Sequence, residues 1–159
     1  MFLSEVIIIV SIVLGVIIVI SFIFDLIQGR IPNLIIIAGF AFWFIYTIWM
    51  SGAVGILNSL ISVIIMGTFL FIIYLIGGIG AGDVKLICLL VSFLSLRDSM
   101  KFVILALFAG AFCGCIKLML NLSERISKGN NGKGKVTIKF TGPIFVSYLL
   151  MLFSKGGII

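Results

Sequence analysis

From Ile31 to Gly82 the chain carries no charged side chain. In water such a stretch cannot cover itself with polar surface, but a bilayer suits it. A hydrocarbon core roughly 30 Å thick takes about 20 apolar residues per helical span, so the stretch is too long for one span and right for two. Ser51-Gly52, with Asn58 nearby, supplies a break, predicting helices near 34–50 and 54–76. The remainder agrees with this solvent. Of 159 residues, 63% are apolar and 10% charged, against about 45–50% and about 25% in a soluble domain. The expected fold class is an all-α membrane protein, a polytopic bundle of about six transmembrane helices in a single domain over residues 1–159.

Four further helices complete that count. The first is expected from Glu5 to Asp25. Its acidic start and its long apolar run to Phe24 differ from the basic start and short apolar core of a signal peptide. It reads as a retained span. The turn-like Gln28-Gly29-Arg30-Ile31-Pro32-Asn33 follows, in which Pro32 cannot continue a helix but suits the first turn of a new one. A second break falls at Gly77-Gly78-Ile79-Gly80-Ala81-Gly82. The fourth helix is then confined between Asp83 and Arg97, short for a span at a rise of about 1.5 Å per residue. A start inside the bilayer, a thinned bilayer or an outward-snorkelling Lys85 would accommodate it. The fifth is expected near 100–121 and the sixth near 140–155, with a basic loop at 122–139 between them.

Basic residues set the orientation. With six spans, Arg30, Lys85, Lys117, Arg125, Lys128, Lys133, Lys135 and Lys139 share one side, and only Arg97, Lys101 and Lys155 take the other. The richer side is the cytoplasmic one, and both chain ends lie outside. The same count puts Asp25 and Asp83 at one level on different helices, near the cytoplasmic face. Of the other acids, Glu5 and Asp98 fall on the opposite side and Glu124 in the basic loop. Ionisable groups at membrane depth are costly and mark functional sites.

A close pair of carboxyls suits aspartyl proteolysis. Two like acids cannot both ionise cheaply, so they share a proton. The ionised one takes a proton from water while the protonated one polarises the scissile carbonyl. No metal, cofactor, His or nucleophilic Ser is required, and the chain has no His. Taken singly each acid has a plainer role: Asp25 can end a helix at the interface, and Asp83 can cap the next one.

The contexts of the two acids add a resemblance. Gly80-Ala81-Gly82-Asp83-Val84-Lys85-Leu86 resembles the GxGD signature of intramembrane aspartyl proteases, in the GxGDxKL form of type IV prepilin peptidases. Asp25, followed after a short turn by Ile31-Pro32-Asn33, is similar to that family's first catalytic motif. Gly142-Pro143-Ile144 resembles the Gly-Pro of its last part. The resemblance implies Asp25 and Asp83 as the catalytic pair and a prepilin or pseudopilin as the substrate, cut between a short cytoplasmic leader and an apolar helix. Around them, Gly80 and Gly82 are expected to admit a substrate backbone, and the stretch 77–82 to receive an unwound segment as an extended strand. Pro32 and Asn33 are expected to aim Asp25. Lys85 is offered to an anionic lipid, a substrate carboxylate or the field of Asp83. Long family members carry CxxC pairs and also methylate their product; this chain lacks the pairs and resembles the short, protease-only form. Archaeal preflagellin peptidases share the same motif logic.

Other functions fit less well. A small cation- or proton-coupled transporter using the two aspartates needs an acid-lined path to both faces. A structural, holin-like protein would lose nothing with either aspartate. Gly129-Asn130-Asn131-Gly132-Lys133-Gly134-Lys135 has phosphate-loop spacing, but Val136 follows where Ser or Thr is needed. The net charge of +6 follows topology and has no aromatic-interleaved soluble face, which excludes nucleic acid as a partner; membrane lipids are the expected company. Cys88, Cys113 and Cys115 read as small buried hydrophobes. No feature sets an oligomeric state.

Overall fold

The uncharged stretch folds as one long helical element broken at a single glycine. The structure, a computed structural model, describes residues 2–128 and 140–155. Among these the chain forms α1 (Phe2–Gln28), α2 (Asn33–Leu75), α3 (Ala81–Ser92), α4 (Leu96–Lys128) and α5 (Thr141–Lys155). Gly52, inside α2, stands at φ 60° and ψ −155°, a backbone region that is essentially glycine-only. The break falls where Ser51-Gly52 predicts it.

At this glycine the chain doubles back. Gly39 lies against the Leu89 side chain and Gly67 against Cys88, neighbouring residues of the short α3. On a straight helix Gly39 and Gly67 would stand about 42 Å apart at 1.5 Å per residue. α2 is therefore a hairpin of two limbs that embrace α3. The expected six helices thus meet five helical elements among the described residues, one of them two-limbed. By length and composition α1, α2 and α4 each hold a segment able to cross a membrane.

α3 is the centre of the bundle, with Leu86, Ile87, Leu89, Leu90, Val91 and Ser92 all buried. The outward faces are as apolar as the core. Ile12, Val16 and Ile23 on α1, Ile37, Phe44 and Ile64 on α2, and Phe108 and Phe112 on α4 are all exposed, which makes sense only against lipid. Three of the buried hydroxyls, with no water to turn to, bond to nearby carbonyls instead: Ser62 donates to Asn58, Ser92 to Leu89 and Ser147 to Pro143. Cys113 and Cys115 depart from expectation, for both are exposed.

Several boundaries also differ. α1 continues a turn past Asp25 to Gln28, because nothing before Gly29 breaks it. α3 ends at Ser92 and α4 starts at Leu96, so the expected fourth helix stops short of Arg97. The reason lies in Ser95, whose hydroxyl receives the Asp98 amide at 3.4 Å and whose Oγ lies 3.0 Å from the Asp98 carboxylate. That reciprocal cap opens a new helix. Asp98 also pairs with Lys101 at 3.7 Å. α4 runs to Lys128 rather than 121, since no Gly or Pro intervenes before Gly129. Residues 122–128 of the expected loop are therefore helical, and 129–139, with the phosphate-loop look-alike, lie outside the described residues.

Candidate active site

On α1 the buried residues Val10, Leu14, Ile18 and Ser21 follow one another at steps of four, four and three, the stripe of a single helix face. Four residues on, Asp25 continues that stripe. It thus faces inward, half-buried, instead of ending the helix. Gly29, at φ 63°, closes α1 by giving its N–H to the Asp25 carbonyl at 3.0 Å, a left-handed cap. Pro32 then serves as the N-cap of α2 at φ −61° and ψ 130°, one position before the first helical residue.

The second acid is fixed by a different device. Gly80 is the N-cap of α3 and Asp83 the third residue in, so Asp83 is not itself the cap. Its carboxyl reaches back to the Gly80 backbone, half of a capping box. A Cβ on Gly80 would stand 2.9 Å from Asp83 Oδ2, closer than such atoms tolerate. Gly82 lies at ordinary contact distance from Ile31, which seats the turn before α2 on the first turn of α3. Lys85 donates to Asn33 Oδ1 at 3.0 Å and straps the same two turns together on the exposed side. Both glycines thus already face side chains of this chain.

The stretch before Gly80 also differs from its expected role as a free strand edge. The Gly77 N–H bonds to the Tyr74 carbonyl and the Gly78 N–H to Ile73, closing α2. Their donors are spent within the chain.

The third contributor is one that sequence reasoning missed. Thr141, fully buried, is the first residue of α5. Its Oγ1 donates to Asp25 Oδ2 at 2.7 Å and lies 3.3 Å from Asp83 Oδ1. The two carboxyl oxygens are therefore within about 6 Å of each other, joined through one hydroxyl of hydrogen-bonding geometry. α5 is held there firmly. The buried Phe140 ring presses on Gly110 of α4, Phe22 of α1 stacks on Phe145 with centroids 6.4 Å apart, and the Tyr148 hydroxyl donates to the Ser11 carbonyl at 2.6 Å. The sequence signal for Thr141 was only its place, directly before Gly142-Pro143.

Asp25, Asp83, Gly80, Gly82, Asn33 and Lys85 line one cleft of about 350 Å³, which Arg30 also borders. Of the residues expected at the site, Pro32 alone is outside that lining. The cleft lies at the end of the bundle opposite Gly52. Near Gly52 a separate cavity is lined by Gly55, Asn58, Ser59, Ser62 and Ser95, without an acid. Between the two lie the buried apolar residues of α3.

A cleft with two carboxyls on one threonine can activate water and protonate a carbonyl without further help. Comparison with protein-family models matches residues 4–115 to the type IV leader peptidase family. The match spans both aspartates and stops before α5. No curated protein and no solved structure matches the chain. With a match over well more than half of its length, this membrane-embedded chain belongs to the type IV leader peptidase family, and is a prepilin-type peptidase in the general sense.

Proposed function

We propose that the protein is an intramembrane aspartyl endopeptidase that removes the short cytoplasmic leader from type IV prepilins or pilin-like proteins. One observation carries this: Asp25 and Asp83, far apart in sequence, meet on a single hydroxyl in an open cleft. In the proposed cycle the ionised carboxylate removes a proton from water, and the hydroxide adds to the scissile carbonyl. The protonated carboxyl gives its proton to the carbonyl oxygen. Collapse of the tetrahedral diol breaks the C–N bond: the proton first taken from water goes to the leaving amine, and one diol hydroxyl returns a proton to the other carboxylate. The pair ends in its starting state with one water consumed.

Orientation and span count belong to the same proposal. Arg30 and Lys85 border the cleft, and α4 carries its basic C-terminal part past the level of Phe140, at the same end. That bias supports a cytoplasmic-face site in the cell membrane. With the two limbs of α2 as separate spans, the bundle has six, in one peptidase domain. A transporter is disfavoured, because among the described residues the cavity at the far end contains no acid.

Co-expression with candidate prepilins tests the reading, with the mass of each pilin's N-terminus as readout. Wild type should trim a leader, and folded Asp25→Asn and Asp83→Asn proteins should leave it attached. Cleavage by either variant would remove that aspartate from the mechanism.

A further inference from the structure

Several helical hydroxyls here bond to a carbonyl one turn back, as Ser62, Thr68 and Ser147 do. Thr141 is the first residue of its helix and has no helical turn behind it. Its hydroxyl is free to face outward from the helix end, and it meets two acids there. A hydroxyl has one hydrogen and two lone pairs. At 2.7 Å the hydrogen goes to Asp25 Oδ2. The Asp83 oxygen, at 3.3 Å, then has only a lone pair to meet, and it is bound only if it brings a proton of its own.

We propose that Thr141 is a positioning residue that makes the two aspartates unequal, stabilising Asp25 as the ionised base and Asp83 as the protonated acid. This rests on the aspartyl reading above. The surroundings suit that role, for Phe140 on Gly110 and Tyr148 on the Ser11 carbonyl fix the start of α5 against both neighbours. The hydroxyl thus has little freedom to move away, and the order of the three oxygens along the chain of hydrogen bonds is set by the fold. Without it the two acids lose a hydroxyl that touches both.

The experiment compares full-length wild type with Thr141→Val, Thr141→Ser, Asp25→Asn and Asp83→Asn. Each is purified in detergent and assayed on a prepilin across pH, with thermal melting as the check on folding. Val keeps the shape and removes the hydroxyl; Ser keeps the hydroxyl and removes the methyl. Expected for Thr141→Val is a fall in kcat of about ten- to a hundredfold, a KM within about twofold of wild type, and a displaced pH profile. Thr141→Ser should keep the wild-type profile and most of the rate. Should Val disturb the fold, Thr141→Ala, which cannot overpack, serves in its place. Wild-type rate and profile in the hydroxyl-free variant, with both Asn variants dead, overturn the role of Thr141 alone. So does an equal loss in folded Ser and Val variants, which assigns the effect to the methyl. Cleavage by an Asn variant overturns the aspartyl reading instead, and this inference with it.

Discussion

Replacing a carboxyl by an amide of the same size separates chemistry from packing. Asp25→Asn and Asp83→Asn are expected to lower cleavage by about a hundredfold or more, the scale of acid–base catalysis, with melting temperatures close to wild type. The neighbouring glycines are expected to differ from one another. A methyl at Gly80 would stand 2.9 Å from Asp83 Oδ2 and at Gly82 no closer than 3.4 Å to Ile31. Gly80→Ala should therefore displace the carboxyl and cost about ten- to a hundredfold in kcat, while Gly82→Ala stays within a fewfold. A reversed order of the two rates would break this account of the turn. The acids could be found from sequence because acids are scarce in so apolar a chain, and the Gly-Asp and Ile-Pro-Asn contexts are unusual. Thr141 could not. A threonine in an apolar helix ordinarily satisfies itself on its own backbone, and only the start of α5 takes that option away.

Elements follow the same division between what is written locally and what is set by packing. The hairpin of α2 is local: Gly52 has nothing within 4 Å of where a Cβ would stand, so its cost on substitution is backbone strain alone. Gly52→Ala is expected to destabilise by about 1–3 kcal/mol, read as a lower melting temperature in detergent. The seat of α5 is not local. A methyl on Gly110 would run into the Phe140 ring, and Gly110→Ala should cost about 1–3 kcal/mol and depress cleavage by moving Thr141. Adding Phe140→Leu should recover part of both losses, as expected of touching residues. Helix ends were the least legible feature. The polar run 121–128 looks like loop by composition, yet α4 continues through it, and the cap at Ser95 starts α4 earlier than its apolar residues suggest.

For the whole molecule, the placement of charge and of the cleft leads to two expectations. With Cys88, Cys113 and Cys115 replaced by Ala, a single Cys at Arg30 should label with an impermeant maleimide only in inverted vesicles. A single Cys at Lys101 should label only from outside the cell. Labelling of both from one side would dismantle the six-span arrangement. The rate of cleavage should be bell-shaped in pH, because the mechanism needs one ionised and one protonated carboxyl. Acid removes the base and alkali removes the proton donor, so a rate that only rises or only falls would count against a shared-proton pair. Composition made the class of solvent and the pairing of the acids legible at this scale, since both follow from where charge is absent. How the helices pack did not follow from it, for lipid and core ask for the same residues.

The family match ends at residue 115, while the hydroxyl that joins the acids is on α5. Translation runs from Asp25 toward Thr141, so the ribosome delivers both carboxyls to the membrane well before their bridge. Until α5 docks between α1 and α4, the two acids lack the hydroxyl that joins them. A peptidase assembled this way is expected to reach its full rate only once its last helix is in place.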